Sequence, residues 1–361
     1  MTDMSARETA VAALTSLPLY QLSTAGMELF HTNALYWLAL HRPDESTPLW
    51  SALGLHALRV AHLEPFIRRE WRHVDLVLSA GPGQPALIIE NKIGAIPTAE
   101  QLVRCQTDVD HHVATMSGGT DYVLLTLTSP SFALPKPWRS VTYRDLLPAL
   151  RETAGRLSGD EAALVSSYAE MVGRLDEVAR LYDPAGTLHE AVKLSPAERD
   201  ALSDGRLLSL VEKVRAGRFA ELATQAIGGE LRELGAVGAG LSNGWGLNEW
   251  FVVGHAGRRF GWQIQGSQFK LAVLTGPRDP KDRPRREKLV QDAYEPFFDF
   301  TPPDHLPHAL EGYKGKKVWL GYEPNFVYRY AEITPNTTWA ELLALAEWFT
   351  DRTQAFVDRT R

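Results

Sequence analysis

The stretch from Asp75 to Lys92 constrains the fold of this chain more than any other part of the sequence. Two apolar runs flank a glycine–proline–glycine turn at residues 81–83, and the second run ends in the polar and charged residues 90–92. Runs rich in Leu, Ile and Val on either side of such a turn predict two antiparallel strands joined as a β-hairpin. The start of one strand then lies beside the end of the other, so we expect Asp75 close to Glu90 and Lys92.

The end of the second strand carries side chains that suit a metal site. Because side chains alternate along a strand, Glu90 and Lys92 share one face and Asn91 points to the other. Two carboxylates in one place repel each other unless a cation joins them. Mg²⁺ binds oxygen ligands, so Asp75, Glu90 and the main-chain carbonyl of Asn91 form a candidate site. The metal would activate a water there, while Lys92 orients that water or counters the charge of the transition state. The alternative is a Glu90–Lys92 salt bridge on an edge strand, with Asp75 in solvent.

The size and composition of the chain narrow the class of protein. Its 361 residues are 44% hydrophobic and 23% charged, as in ordinary globular proteins with room for two domains. No apolar run reaches the roughly 18–20 residues of a membrane span, and the polar first residues lack the layout of a signal peptide. Cys105 is the only cysteine, which excludes an intrachain disulfide and a cysteine zinc cluster. These features predict a cytoplasmic protein that does not enter a membrane.

The first half of the chain alternates between helical and strand-like patterns. Apolar residues at helical spacing predict helices at 5–20, 25–41, 48–61, 98–116, 144–156 and 159–182. Strand-like runs occupy 74–78, 86–93, 122–127 and 140–143. This order predicts an α/β domain over residues 1–195, with a central mixed sheet between helices.

The second half has a different texture and is predicted to be a separate α+β domain, residues 196–361. Helices are expected at 196–234 and 338–359, a glycine-rich linker at 235–246, and strands at 249–254, 259–274 with a turn at Gly266-Ser267, and 317–333. We predict that this domain binds nucleic acid, binds a partner protein or forms a homodimer.

A run of basic residues in the second half could contact phosphates. Its members are interleaved with prolines and acids, which predicts a flexible loop between strands; they are Arg283, Arg285, Arg286 and Lys288. A solvated loop without a ligand is the alternative. The overall net charge of −6 gives no general attraction to nucleic acid but is compatible with such local basic patches, and Lys314, Lys316 and Lys317 form a second one.

Several motifs in order resemble the PD-(D/E)XK nuclease superfamily. Asp75 followed by Glu90-Asn91-Lys92 resembles its signature of an aspartate and a later acid–any residue–lysine triplet. Glu28 and residues 30–33, Phe-His-Thr-Asn, resemble the first-helix motif of one subgroup, and residues 70–75 resemble the approach to its aspartate. Gln101 resembles the glutamine of the helix that follows. The resemblance covers residues 20–180.

This resemblance implies a restriction-endonuclease-like core and a Mg²⁺-dependent nuclease, with Mn²⁺ able to substitute and DNA as the expected substrate. Asp75, Glu90 and Glu28 would bind or approach the metal, Lys92 would be the catalytic lysine, and Gln101 would support the site. A role in prokaryotic defence against foreign DNA is the implied setting. Cys105 stands where such helices often carry a tyrosine, which argues against substrate contact by that helix. The alternative function is that of a catalytically inactive nuclease fold that binds nucleic acid or protein.

Overall fold

A computed structural model describes residues 5–23, 27–56, 58, 64–94, 97–113, 119–130, 132–227, 236–242, 244–276, 279–306, 308–311, 320–322 and 325–360. The chain divides into two compact units. One comprises Met1–Tyr182 with Asp200–Val211, and the other Asp183–Arg199 with Glu212–Arg361. The separate functions predicted for residues 1–195 and 196–361 stay predictions.

The N-terminal unit is built on a mixed sheet, which confirms the predicted α/β class. In its described part five strands lie in the order β1 (Phe66–Trp71), β2 (Val74–Ser79), β3 (Ala86–Lys92), β4 (Thr120–Thr126) and β5 (Arg139–Thr142). The strands β1, β2 and β3 pair antiparallel, whereas β3, β4 and β5 run parallel. The hairpin expected from the sequence is therefore present as β2 and β3, with Leu76 opposite Ile89.

Strand β1 was not predicted from the sequence. It forms an edge of the sheet, and most of its side chains are exposed, including those of Arg68, Arg69 and Glu70. Charged residues are common on edge strands, where they oppose pairing with other chains, and they erase the apolar alternation by which strands are recognised.

The turn between β1 and β2 fixes where β2 begins. Trp71 pairs with Val74, so only Arg72 and His73 form the turn. Their φ angles are 53° and 65°, the two positive values of a type I′ turn, whose twist matches that of the strands it joins. Asp75 follows directly and is thereby held at the start of β2.

Helices cover both faces of this sheet. The helices of the first 182 residues are α1 (Ala6–Thr15), α2 (Pro18–Ser23), α3 (Met27–His41), α4 (Thr47–Ala52), α5 (Ala99–Val113), α6 (Tyr143–Arg156) and α7 (Gly159–Leu181). Helix α5 buries Leu102, Cys105 and Val109 against sheet residues that include Ile88 and Tyr122. Helix α3 packs on β1, β2 and β3, and α6 packs on α7. The first turns of α3 and α5 therefore lie near the end of β3.

The C-terminal unit contains a second, antiparallel sheet, as the α+β prediction requires. Its described strands are β6 (Gly238–Ser242), β7 (Trp245–Val253), β8 (Arg259–Gln265), β9 (Gln268–Leu274), β10 (Leu310–Glu311), β11 (Leu320–Tyr322) and β12 (Phe326–Ile333). The predicted turn at Gly266-Ser267 joins β8 to β9. The helices that follow α7 are α8 (Pro196–Asp204), α9 (Leu208–Ala226), α10 (Arg283–Tyr294) and α11 (Trp339–Thr360). A core with Trp250, Trp262, Phe269 and Phe349 lies between this sheet and α11.

Two expectations for this half were wrong. Residues 238–242, assigned to a linker because of their glycines, form strand β6, which is bonded along its length to β7. The basic run assigned to a loop forms the start of helix α10, where the Asp282 side chain accepts from the Arg285 N–H and caps the helix. The second basic cluster, Lys314, Lys316 and Lys317, lies outside the described residues. Within the described chain, no helix has the length and apolar character needed to cross a bilayer.

Candidate active site

Four residues predicted from the sequence converge on one point at the end of β3. The Lys92 Nζ atom lies 2.9 Å from Glu90 Oε1, 3.8 Å from Asp75 Oδ2 and 3.7 Å from Glu28 Oε2. Glu28 comes from the first turn of α3, Asp75 from the start of β2, and the other two from the same face of β3. The structure thus brings three carboxylates around one ammonium group.

The Glu90 carboxylate is the most buried of the three, with 2% of the residue exposed. Its Oε1 atom accepts from Lys92 and, at 2.9 Å, from Nε2 of Gln101 on α5. The Thr98 Oγ1 accepts from the Gln101 N–H at 3.2 Å, as a helix N-cap does, which fixes where α5 begins. The other carboxylate oxygen, Oε2, is buried and has no hydrogen-bond partner among the described residues. A buried carboxylate oxygen without a partner is unfavourable, so this atom is available for a ligand.

The Asp75 carboxylate is attached to β3 through the main chain. Its Oδ2 atom accepts from the Asn91 N–H at 2.7 Å. Its side chain is 27% exposed, more than that of Lys92 at 12%. The carboxylate of Asp75 therefore faces both the other acids and solvent.

The crowding of like charges in a half-buried space changes the protonation of these groups. Burial, reinforced by repulsion from Asp75, raises the pKa of Glu90 to about 7. Burial also raises the pKa of Asp75, although Lys92 and the Asn91 N–H oppose this. For Lys92, burial acts to lower the pKa, but the carboxylates of Glu90, Asp75 and Glu28 outweigh it and raise the pKa. The lysine therefore stays charged, and the ionised site carries more negative than positive charge.

The Asn91 side chain points away from Glu90 and Lys92, as strand alternation predicts. Its Nδ2 group donates to the main-chain carbonyl of Glu28 at 3.2 Å and to Thr32 Oγ1 at 3.1 Å. Its Oδ1 atom accepts from the Tyr143 hydroxyl at 2.9 Å. Sequence reasoning did not identify Thr32 or Tyr143, because no local pattern indicates which distant side chains meet a strand.

The two other polar residues of the first-helix motif have different surroundings. His31 is fully buried, and its Nδ1 atom lies 2.9 Å from the hydroxyl of Tyr168 on α7. The Oδ1 atom of Asn33 accepts from the guanidinium of Arg69 on β1. Both residues hold α3 to neighbouring elements, as expected of helix polar groups.

Cys105 is a core residue of α5. It is buried against the sheet, and its Sγ atom donates to the His73 carbonyl at 3.2 Å. Burial raises the pKa of this thiol to about 11. Cys105 therefore contributes packing to α5 and contacts no substrate.

The predicted nucleic-acid contacts are not brought to this site, because they belong to the C-terminal unit. Arg285 and Lys288 are exposed, and Arg283 pairs with Glu287 at 2.6 Å. Arg286 is buried, with 3% of its surface exposed. The surface of α10 that a phosphate could reach therefore includes Arg283, Arg285 and Lys288 and excludes Arg286.

The donor atoms at the end of β3 fit a hard divalent cation. In the described part of the chain, no group of three or more His, Cys, Asp or Glu side chains has a ready-made metal geometry. The fit rests instead on the buried, partnerless Oε2 of Glu90 beside a second carboxylate, that of Asp75. Carboxylate oxygens supplemented by main-chain carbonyls and waters are the ligands that Mg²⁺ takes in proteins.

Comparison with known proteins gives one match. Residues 57–178 match the model of a family in the PD-(D/E)XK nuclease superfamily. The matched segment contains Asp75, Glu90, Lys92 and Gln101, and Glu28 precedes it. No curated protein and no solved structure matches the chain.

Proposed function

We propose that the N-terminal half of this chain, which belongs to the PD-(D/E)XK nuclease superfamily, is a Mg²⁺-dependent nuclease that hydrolyses phosphodiester bonds in DNA. The observation that carries the proposal is the buried Oε2 of Glu90, which has no partner in the described structure and lies in a centre of three acids and one lysine. If all four groups are ionised, the centre has an excess of two negative charges, which one divalent cation would neutralise. Defence of a prokaryotic cell against foreign DNA is the setting that we propose for this activity.

The residues that would hold the ion are Asp75, Glu90 and the main-chain carbonyl of Asn91. In an extended strand the N–H and carbonyl of one residue point to the same side. Since the Asn91 N–H donates to Asp75, the carbonyl of Asn91 is expected to face that carboxylate as well. Glu28 would approach the ion through water. Bound Mg²⁺ or Mn²⁺ would acidify a coordinated water and neutralise the phosphoryl oxygens.

The protein side chains supply charge and orientation. Lys92 is kept protonated by its carboxylate neighbours, so its ammonium can donate hydrogen bonds to the attacking water or to a phosphoryl oxygen. Gln101 donates to Oε1 of Glu90 and thereby orients the carboxylate with Oε2 turned away from the Gln101 amide. Such fixed donors stabilise the developing charge without reorganising during the reaction.

The competing function is that of a nuclease fold that binds nucleic acid or protein without cutting. In a decayed active site we expect a charged residue to be missing or the charged groups to stand apart. Here Asp75, Glu90 and Lys92 are all present, and Lys92 lies within 4 Å of every carboxylate of the centre: 2.9, 3.7 and 3.8 Å. This favours the enzyme over the binding module.

A cleavage assay on the full-length protein tests the proposal. Supercoiled plasmid, linear duplex, single-stranded DNA and RNA would be incubated with Mg²⁺ or Mn²⁺ and with EDTA. We expect metal-dependent cleavage by the wild type and a loss on the order of 10²–10³ or more for Lys92→Ala and Asp75→Asn. Lys136→Ala, which removes an exposed lysine from the same unit, serves as the matched control and should cut normally.

Two outcomes would contradict the proposal. Wild-type protein that leaves all four substrates intact with both metals is not the nuclease proposed here. Wild-type protein that binds DNA but does not cut it would support the binding-module alternative.

A further inference from the structure

A buried hydrogen-bonded chain lies on the face of β3 opposite the acidic centre. It begins at Asn91, which stands between the two charged residues Glu90 and Lys92 but points to the other side of the sheet. Asn91 is 1% exposed, so the hydrogen bonds of its amide are shielded from water. An unsatisfied polar group in such a place costs about 1–3 kcal/mol, and each partner of this amide therefore matters.

The orientation of the Asn91 amide is determined by its partners. The main-chain carbonyl of Glu28 can only accept, so the amide nitrogen must face it. The amide oxygen consequently faces Tyr143, and an amide oxygen can only accept, so the Tyr143 hydroxyl is the donor in that bond. The hydrogen of Tyr143 is thereby assigned.

This assignment propagates to two more residues. Tyr143 and Tyr168 are hydrogen-bonded to each other, and burial raises the pKa of both hydroxyls, so both keep their hydrogens. Because the hydrogen of Tyr143 is directed to Asn91, Tyr168 must donate to Tyr143. The oxygen of Tyr168 then accepts from the Nδ1–H of His31, 2.9 Å away.

His31 ends the chain as a neutral imidazole. Burial lowers the pKa of His31 to about 3, so the ring carries one hydrogen, which the chain places on Nδ1. Its Nε2 atom is buried and has no partner among the described residues, which is compatible with a bare ring nitrogen better than with an N–H donor.

The chain closes on the helix from which it started. His31 and Thr32 lie on α3 beside Glu28, while Tyr143 and Tyr168 lie on α6 and α7. The bonds therefore run from α3 through α7, α6 and β3 back to α3, where Asn91 donates to the main chain of Glu28 and to Thr32. This closed ring ties the first turns of α3 to the strand that carries Glu90 and Lys92.

We propose that Asn91 is a positioning residue that holds Glu28 at the acidic centre, and that His31, Tyr168 and Tyr143 set the orientation of its amide. This inference rests on the proposed function, because it assigns a purpose to the placement of Glu28 beside the metal ligands. Asn91 thus acts twice, with its main chain on the Asp75 side and with its side chain on α3.

The donor order has a spectroscopic signature that needs no catalysis. In full-length protein labelled with ¹⁵N-histidine, His31 is identified as an imidazole that stays neutral from pH 8 to pH 5. We expect its ring ¹⁵N shifts to report the Nδ1–H tautomer. In Tyr143→Phe the hydroxyl of Tyr168 loses its acceptor and turns to His31 Nδ1, so the Nε2–H tautomer should increase. An Nε2–H tautomer in the wild type, or no change in Tyr143→Phe, overturns the proposed chain.

The link to Glu28 is tested by a double-mutant cycle on Mn²⁺ affinity, measured by calorimetry. Tyr143→Phe should weaken Mn²⁺ binding about 10-fold, as removal of an outer hydrogen bond at a metal site typically does. In a Glu28→Gln background the same change should have no further effect, because the residue through which it acts is already altered. Tyr20→Phe is the matched control, since Tyr20 is also buried and donates to the Gly205 carbonyl within the same unit.

The outcomes separate this inference from the proposed function. Equal losses of affinity in the wild-type and Glu28→Gln backgrounds, or a loss for Tyr20→Phe as large as that for Tyr143→Phe, overturn the positioning role. Wild-type protein that shows the expected coupling in Mn²⁺ binding but cuts no nucleic acid overturns the nuclease proposal and supports the positioning role. Wild-type protein that binds no Mn²⁺ overturns both.

Discussion

The ammonium nitrogen of Lys92 lies 2.9 Å from Oε1 of Glu90 on the same face of β3. Because Gln101 donates to the same oxygen, one side of the carboxylate is saturated while Oε2 has no partner in the described structure. The centre is thus asymmetric: one oxygen of Glu90 is held by the protein, and the other is left for a ligand.

Glu90→Gln should uncouple the fold from the metal. A ligand that binds only the folded state stabilises it, by about 2.7 kcal/mol at a concentration of 100 Kd. We expect Mg²⁺ or Mn²⁺ to raise the Tm of the wild type measurably. The neutral amide of Glu90→Gln should abolish this shift, while the Tm in EDTA stays equal or rises because a buried charge is removed. A metal-dependent Tm shift of wild-type size in the variant would contradict the assignment of Glu90 as a ligand.

The stability of the metal-free protein should fall as the pH rises towards neutrality. Glu90 has a pKa of about 7 in the folded protein against an ordinary value of 4.5, so the folded state binds the proton more tightly than the unfolded state. Below about pH 4.5 both states are protonated and the full stability is present. Between about pH 4.5 and 7 stability decreases, and above pH 7 the decrease is complete, on the order of 3 kcal/mol.

Urea unfolding in EDTA across this pH window measures the effect. In Glu90→Gln no carboxyl titrates at this position, so the variant should lose most of the slope. A wild-type stability that rises steadily from pH 5 to pH 7, with the same slope in the variant, would show that Glu90 is not held in this way.

Gln101→Leu should reduce activity without unfolding the protein. The change removes a donor to Oε1 of Glu90 and frees the carboxylate to rotate. We expect a 10- to 100-fold loss in cleavage rate and in Mn²⁺ affinity, in the range found for outer hydrogen bonds at metal sites. Gln106→Leu, on the same helix, removes only a bond to Asp110 and should behave like the wild type. Equal effects of the two substitutions would remove Gln101 from the site.

Helix α10 offers a test of nucleic-acid binding by the C-terminal unit. Arg285→Ala with Lys288→Ala removes two exposed cations, and for each phosphate that the variant no longer neutralises, the slope of log K against log salt should become shallower by about 0.9. DNA binding by fluorescence anisotropy over a range of salt concentrations gives this slope. Arg359→Ala, an exposed arginine on α11, is the control. An unchanged slope in the double variant would show that α10 binds no phosphate.

The Cys105 thiol should be inert in the folded protein. Its burial raises the pKa to about 11, and the thiolate is the reactive form, so modification by a disulfide reagent at pH 8 should be slow. Denaturant should restore the rate of an ordinary thiol. Rapid modification of the native protein would mean that α5 exposes this face, against its packing on the sheet.

Predictions from the sequence were most accurate where local signals are strong. The hairpin, the start of α5 at Thr98 and the turn at Gly266-Ser267 were all recognisable from short patterns of turn residues, caps and apolar runs. They failed where tertiary pairing overrides local preference. Strand β6 contains glycines that favour a turn but pairs along its length with β7, and β1 is a charged edge strand without alternation.

The candidate site shows the same division. Alternation along β3 placed Glu90 and Lys92 on one face, and the hairpin brought Asp75 to them, because both relations depend only on strand geometry. The approach of Glu28 and Gln101 was expected from resemblance and is now described by distances of 3.7 Å to Lys92 and 2.9 Å to Glu90. The basic run of α10 was recognised as basic, but its helix and the burial of Arg286 were not.

The sequence by itself determined which side chains of the hairpin share a face, since the period of a strand is fixed by backbone geometry. Only the tertiary structure decided what the opposite face meets. The partners of Asn91 come from α3 and α6, far away in the chain, and Tyr168 from α7 extends the network to His31. Such contacts depend on how helices pack over the sheet, which is set by the whole core and not by any local pattern of residues.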